Sequence, residues 1–155
     1  MSRCVIISAC PVSASLASAL RPGDTIIACD AGYRNCGPLH CRPDIIVGDF
    51  DTAPCPAQEG DDTIILPHVK DDTDTEYAAK LASEKGFDEA LLLGALGGRR
   101  LEHTLANLCT GLGLEQRGVR ATLLDERSRI TFVMPGETRR YPKNCLLYTS
   151  PKPTR

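Results

Sequence analysis

The chain reads as an α/β domain on an open, mostly parallel, doubly wound sheet, with the start of a further β segment behind it. Three observations predict this: short apolar runs recur along the chain, helical periods lie between them, and turn residues close them. Val5-Ile6-Ile7, Thr25–Ala28, Ile45–Val47, Thr63–Leu66, Ala90–Leu93 and Ala121–Leu124 each read as a strand. The runs are continuous and not alternating, which suits strands covered on both faces.

Between the strands, residues 13–20, 74–85 and 101–116 read as helices. The second has a clear start and stop. Thr73-Asp74-Thr75-Glu76 is a capping-box pattern, and Gly86 stands where a left-handed residue ends a helix. Tyr77, Ala78, Leu81 and Ala82 then share a face for the sheet. In the third, Leu101, Leu105, Leu108 and Leu112 fall on one stripe, with His103 and Asn107 on roughly the opposite side. That spacing predicts a packed leucine face and a histidine turned to solvent or to something bound. Beyond Leu124 the character changes. Arg129–Val133 reads as a strand and Pro135-Gly136 as a turn, and residues 141–155 hold no sustained period.

The bulk numbers narrow the function. At 155 residues the chain is one ordinary domain, or a domain plus a fragment. A net charge of −2 speaks against a general nucleic-acid role. No stretch approaches the ~20 apolar residues of a membrane span, and the apolar run after Arg3 is too short for a secretory leader. The eight cysteines form no Cys-x-x-Cys pair and no zinc-type cluster. A cytoplasmic protein with reduced thiols is the expectation. Charge is unevenly spread: residues 30–76 hold eleven Asp/Glu against three Lys/Arg, and residues 125–155 hold seven Lys/Arg against three Asp/Glu.

The acidic excess has a pattern. Gly48-Asp49-Phe50-Asp51-Thr52 follows an apolar strand, at the carboxyl end where open α/β sheets place ligands. Asp49 and Asp51, two apart in extended chain, point the same way. Lys70-Asp71-Asp72-Thr73-Asp74 opens the second helix. Oxygen-only ligands from two turns suit Mg²⁺, which leaves positions for phosphate oxygens. Each cluster also has a plain structural reading, an Asp-rich turn for the first and a dipole-favoured helix start for the second. Gly94-Ala95-Leu96-Gly97-Gly98-Arg99-Arg100 joins a strand to a helix and offers backbone N–H groups and guanidinium groups to an anion, or is a tight turn with solvated arginines. It is not a Walker loop. Asp30-Ala31-Gly32 closes another strand on the same sheet edge.

Together these segments resemble the thiamine pyrophosphokinase family. The match runs through Asp30-Ala31-Gly32, Pro43-Asp44 to Gly48-Asp49-Phe50-Asp51-Thr52, Lys70-Asp71-Asp72-Thr73-Asp74-x-Glu76, and Gly94-x-x-Gly97-Gly98-Arg99-x-x-Glu102-His103-x-x-x-Asn107-Leu108. Its order and spacing hold over residues 25–112. Ala31 stands where the family commonly has glycine, Thr52 where it has serine, and Glu102 where it has aspartate. The resemblance implies Mg²⁺-dependent transfer of pyrophosphate from ATP to thiamine, giving thiamine diphosphate and AMP. It implies Mg²⁺ at Asp30, Asp49, Asp51 and Asp74, with catalysis resting on Asp49, Asp74 and Arg99. It places Asp30, Gly32, Lys70, Thr73, Gly97, Gly98, Arg99, His103 and Asn107 around the nucleotide. It also implies a homodimer, an ATP-binding catalytic domain over 1–124, and the incomplete start of a β-sandwich thiamine-binding domain over 125–155. On that reading the chain is cut short and its transfer activity impaired. Two other readings stay open: a phosphohydrolase of the haloacid dehalogenase type, whose Asp-x-Asp signature overlaps Asp49-Phe50-Asp51, and a nucleotide-binding fragment without turnover.

Overall fold

A computed structural model of the chain describes residues 1–49, 62–65 and 73–142. Asp51, Lys70, Asp71 and Asp72 lie outside them. The strands are β1 (Arg3–Ile7), β2 (Thr25–Cys29), β3 (Ile45–Gly48), β4 (Asp62–Ile65), β5 (Glu89–Leu93), β6 (Arg120–Leu124) and β7 (Arg129–Thr131). They form one sheet in the order β4-β3-β2-β1-β5-β6-β7. The first six are parallel and β7 returns antiparallel to β6. The segment after Leu124 thus adds an edge strand to the main sheet. β1 lies between β2 and β5, so the direction of winding reverses there, and the crevice outside β1 and β5 is the natural ligand position.

The continuous apolar runs are explained by cover on both faces. Cys4, Ile6, Ile27, Cys29, Val47, Leu92 and Leu123 pack against the helices α1 (Asp74–Glu84) and α2 (Leu101–Gln116). Val5, Ile7, Ala28, Leu91 and Leu93 face the other way, toward Leu16, Cys36 and Leu39. This second cover is short 3-10 helix, Ala14–Ala19 and Asp30–Cys36. Residues 13–20, expected as a helix, are therefore a tighter turn of one: the segment is rich in Ser and Ala, follows Pro11, and has Ser13 at its cap. The six described cysteines are all free thiols.

The start and stop signals of α1 hold. Thr73 caps it, its side chain accepting from the Glu76 N–H at 3.1 Å, and Gly86 takes φ +76° just past the end. The Glu76 carboxylate does not close a reciprocal box; it accepts from Arg117 at the end of α2 at 3.3 Å. In α2 the packed face is the reverse of the leucine stripe. Asn107, Thr110, Gly111 and Leu114 are buried, while Leu101, Leu105 and Leu112 are exposed and Leu108 is half-buried. Small residues let the helix approach closely. A Cβ on Gly111 would stand 2.7 Å from Phe132 Cε2 and 2.8 Å from Leu123 Cδ1.

An ion pair fastens the amino end of the sheet. Arg3 Nε and Nη2 donate to both carboxylate oxygens of Asp24 at 2.8 and 2.6 Å, and Asp24 is only 4% exposed. Burial pushes the Asp24 carboxyl up, but the Arg3 fork and the Arg21 N–H outweigh it and hold the group below its ordinary value.

Two outcomes test this packing. Gly111→Leu overpacks the contact with Phe132 at a cost of about 3 kcal/mol, more than the roughly 1 kcal/mol the helix regains on losing a glycine. Leu105→Ala, on the outer face, shifts stability by less than about 0.5 kcal/mol. A thermal melt ranking the two the other way round would reverse the orientation of α2. Asp24→Asn costs about 3 kcal/mol at neutral pH by breaking a buried pair. Because the folded pKa is depressed, the wild-type advantage is full above the ordinary value near 3.8 and fades as pH falls through the lower folded value. Melts of the two proteins should converge in acid; a gap that persists there would contradict the pair's role.

Candidate active site

The carboxyl ends of β1, β2, β3 and β5 and the first turns of α1 and α2 enclose a cleft of about 360 Å³. Three of the acidic residues singled out in the sequence meet in it. One carboxylate oxygen each from Asp30, Asp49 and Asp74 lies within 4.8 Å of the other two, and all three side chains are half-buried. Asp30 follows β2, Asp49 follows β3 and Asp74 begins α1, so residues forty-four apart in sequence share one corner.

Local backbone chemistry explains the convergence. Asp30 sits at φ +44°, in the left-handed region that aspartate tolerates better than most residues. Gly48 clears the space behind it, since a Cβ there would come within 3.1 Å of Asp30 Cα. Gly32, expected at the cofactor, is buried. Its visible task is close approach, because a side chain would collide with the Ile7 carbonyl. Asp74 stands where the α1 dipole favours a carboxylate, directly after the Thr73 cap.

The opposite wall comes from the glycine-rich turn and α2. Gly94, Gly97 and Gly98 have φ of +64°, +80° and +83°. Gly94 is essential to the turn: any Cβ would run into the carbonyls of Ser8 and Cys10. The turn is fixed from α2, with Thr104 Oγ1 donating to the Gly97 carbonyl at 3.0 Å and Asn107 Nδ2 to the Ala95 carbonyl at 2.8 Å. Arg100, His103, Ala106 and Asn107 line the cleft. Asn107 is buried and His103 exposed at the rim. Arg99 stands in the exposed part of the turn with Gly97 and Gly98, and it is Arg100 that reaches the cleft wall, its Nε donating to Glu102 Oε1 at 2.7 Å. Thr73 lines the cleft; Asp51 and Lys70 lie outside the described residues.

Asn35, Ser8 and Cys10 carried no sequence signal. Asn35 is buried, and its Nδ2 donates to the carbonyls of Ser8 and Cys10 at 2.8 and 2.9 Å while its Oδ1 accepts from Val12 N–H at 3.3 Å. Ser8 and Thr75 share a buried hydroxyl bond of 2.8 Å that ties the end of β1 to α1. Cys10 lines the cleft, and burial pushes its thiol above the ordinary value, which speaks against a nucleophilic thiolate.

The site is therefore a hard-oxygen corner facing two helix N-termini, an arrangement suited to a divalent cation and a phosphate chain together. No helix among the described residues is long and apolar enough to cross a membrane.

Comparison with known proteins agrees with this geometry. The solved thiamine pyrophosphokinase of Bacillus subtilis shares the fold with a TM-score of 0.67 at 21% identity, over 81% of this chain and 61% of its own. That of Geobacillus thermodenitrificans is 26% identical with a TM-score of 0.66, over 79% of this chain and 59% of its own. The Candida albicans enzyme superposes at 0.66 and 17% identity, over 83% and 60%. The chain thus spans about three fifths of the length of these structures. No curated protein matches it. A family model described as thiamin pyrophosphokinase, catalytic domain, matches residues 16–123, from the first 3-10 helix to β6. The chain belongs to the thiamin pyrophosphokinase catalytic-domain family.

Proposed function

We propose that this chain is the ATP-handling part of a Mg²⁺-dependent thiamine pyrophosphokinase, transferring pyrophosphate from ATP to thiamine with release of AMP. The observation that carries the reading is the meeting of Asp30, Asp49 and Asp74 within 4.8 Å at the sheet's carboxyl edge. Three carboxylates so close repel one another unless a proton or cation is shared among them. The donor set is all oxygen, which fits Mg²⁺ and argues against a soft metal. Asp30, Asp49 and Asp74 would hold the ion, with Asp51 as a further ligand. Bound there, Mg²⁺ supplies charge neutralisation along the phosphate chain.

The chain's own residues do the rest. Backbone N–H groups at the start of α2, where no side chain caps the helix, and at the Gly97-Gly98 turn face the phosphates. Arg100 adds positive charge at the cleft wall, Arg99 adds it from the glycine-rich turn, and the family resemblance adds Lys70. His103 and Asn107 bound the nucleotide side. Asp49 or Asp74 takes the proton from the acceptor hydroxyl as its oxygen attacks the β-phosphorus. The bond between that phosphorus and the oxygen bridging to the α-phosphate breaks, and AMP leaves with that oxygen. Transfer of this kind depends on positioning and charge stabilisation more than on covalent chemistry.

The remaining parts of the proposal follow the family. Residues 1–124 form the catalytic domain, and 125–155, whose β7 still pairs with β6, begin a thiamine-binding β domain. The working assembly is a homodimer in the cytoplasm, where the free thiols stay reduced.

Incubation with Mg·ATP and thiamine tests the reaction. Thiamine diphosphate and AMP in equal amounts support it; free phosphate as the product would favour a phosphohydrolase, and bound ATP without AMP a non-catalytic domain. Asp49→Asn should lower Mg²⁺-dependent AMP release by about 100-fold or more, since even outer-shell partners of a metal cost up to that factor. Near-normal turnover would remove Asp49 from the machinery.

A further inference from the structure

The 3-10 helix that begins at Asp30 ends on a thiol, and the turn behind it brings a second thiol back to the first. Leu39 N–H donates to the Asn35 carbonyl at 3.2 Å, so the chain continues as a helical turn past Cys36. It then stops in a Schellman motif. His40 N–H donates to the Gly37 carbonyl and Cys41 N–H to the Cys36 carbonyl, both at 3.0 Å, with His40 in the left-handed region at φ +51°. The residues at the two ends of such a motif commonly bring their side chains into contact. Here both are cysteine. Pro38, inside the turn, has a fixed φ that keeps it closed.

Both side chains pack into one core with Val5, Ile7 and Leu39, on the face of the sheet away from α1 and α2. Cys36 is 6% exposed and Cys41 is half-buried. The Cys36 thiol donates to the Cys41 sulfur. Burial pushes the Cys36 thiol up to about 12 and raises Cys41 as well, but the bond from Cys36 lowers Cys41 in part and makes it the first of the two to ionise. The main-chain bond holds the two backbones within reach of a disulfide, whose Cα atoms stand about 4.4–6.8 Å apart. Nothing completes a metal site around the pair: among the described residues, the one group of three side chains that could hold an ion is the aspartate cluster. The chemistry open to the two thiols is their own oxidation.

We propose that Cys36 and Cys41 form a reversible dithiol site, reduced at rest and closed to a disulfide by a small disulfide such as oxidised glutathione. Cys41, its proton lost to water, attacks one sulfur of the reagent. A mixed disulfide forms, and the released thiolate takes up a proton. Cys36 then gives its proton to water and attacks the Cys41 sulfur, and the second half of the reagent leaves as a thiolate that is protonated in turn. Two cysteine thiols are oxidised, and one reagent disulfide is reduced to two thiols. Proximity drives the second step. Thiols that ionise reluctantly are poor leaving groups, so the closed bond resists further exchange. It pins the turn directly behind Asn35, the residue that holds the exit of β1.

The test treats the folded chain with oxidised glutathione, alkylates the remaining thiols and cleaves after Leu39, between the two cysteines. The peptides carrying Cys36 and Cys41 are expected to stay joined until dithiothreitol separates them. The treated chain should also melt at a higher temperature than Cys41→Ser treated alike. Cys36→Ser should retain glutathione on Cys41, whereas Cys41→Ser should leave the buried Cys36 unmodified; the second variant decides the matter if the first fails to fold. A link between Cys36 and Cys41 that forms only in urea would overturn the proposal. So would glutathione left on Cys41 of the wild type, glutathione on Cys36 in Cys41→Ser, or a bond from either residue to a third cysteine.

Discussion

Everything at the site depends on how closely three backbones can approach at the point where the sheet reverses its winding. The chain leaves β1 through Ser8 and Cys10, leaves β5 through Gly94, and passes beneath them as the 3-10 helix after β2. The Gly94 carbonyl accepts from Cys10 N–H at 3.0 Å, while those of Ser8 and Cys10 need another donor in this crossing. Asn35 supplies it, donating to both and accepting from Val12 N–H. Gly94 and Gly32 make the approach possible, because a side chain at either would strike the carbonyls of the β1 exit. This crossing holds Asp30 at the start of the 3-10 helix and lets the glycine-rich turn close over the cleft.

Charge follows from the same architecture. Parallel strands send all their carboxyl ends to one edge and all their amino ends to the other, so each edge collects its own side chains. At one, Asp30, Asp49 and Asp74 gather where two helix N-termini point. Toward the other, Arg3, Arg21 and Arg120 stand against the carboxylates of Asp24 and Glu89. The net charge of −2 conceals this separation. The acidic gathering is not neutral energetically, and a nearby positive charge eases it.

The sheet was legible because local composition determines it. Continuous apolar runs demand two-sided cover, and all six parallel strands formed where the runs stand. The cap at Thr73 and the stop at Gly86 were legible for the same reason, as both act within four residues. What failed was information carried across the chain. The leucine stripe of α2 has a helical period, yet three of its four leucines face outward, because Gly111 and Thr110 let the other side lie against Leu123 and Phe132. Period identifies a helix; it does not say which face has the closer partner. Asn35 was invisible since its bonds join residues 23 to 27 positions away. Arg100 borders the cleft and Arg99 stands in the exposed turn beside it, a placement set by the positive-φ glycines before them.

The walls of the acidic cleft also limit what it can recognise. Its described lining is carboxylate, hydroxyl, amide, imidazole, guanidinium and small residues, with no phenyl, phenol or indole ring. Such a surface holds a cation and a phosphate chain by charge and hydrogen bonds, and offers little area to a flat organic ring. In the proposed reaction the acceptor enters with a hydroxyl to present and aromatic rings to place. On that proposal the hydroxyl is presented to Asp49 and Asp74, and the described walls offer its rings no aromatic partner. Exposed Leu101 and Leu105 stand on α2, the helix that carries Arg100 and His103 to the cleft. A surface docked against that helix would bring its own side chains to the open side of the site. On the proposed reaction the described walls serve the cation and the phosphate chain, and the acceptor's rings are left to surfaces beyond them.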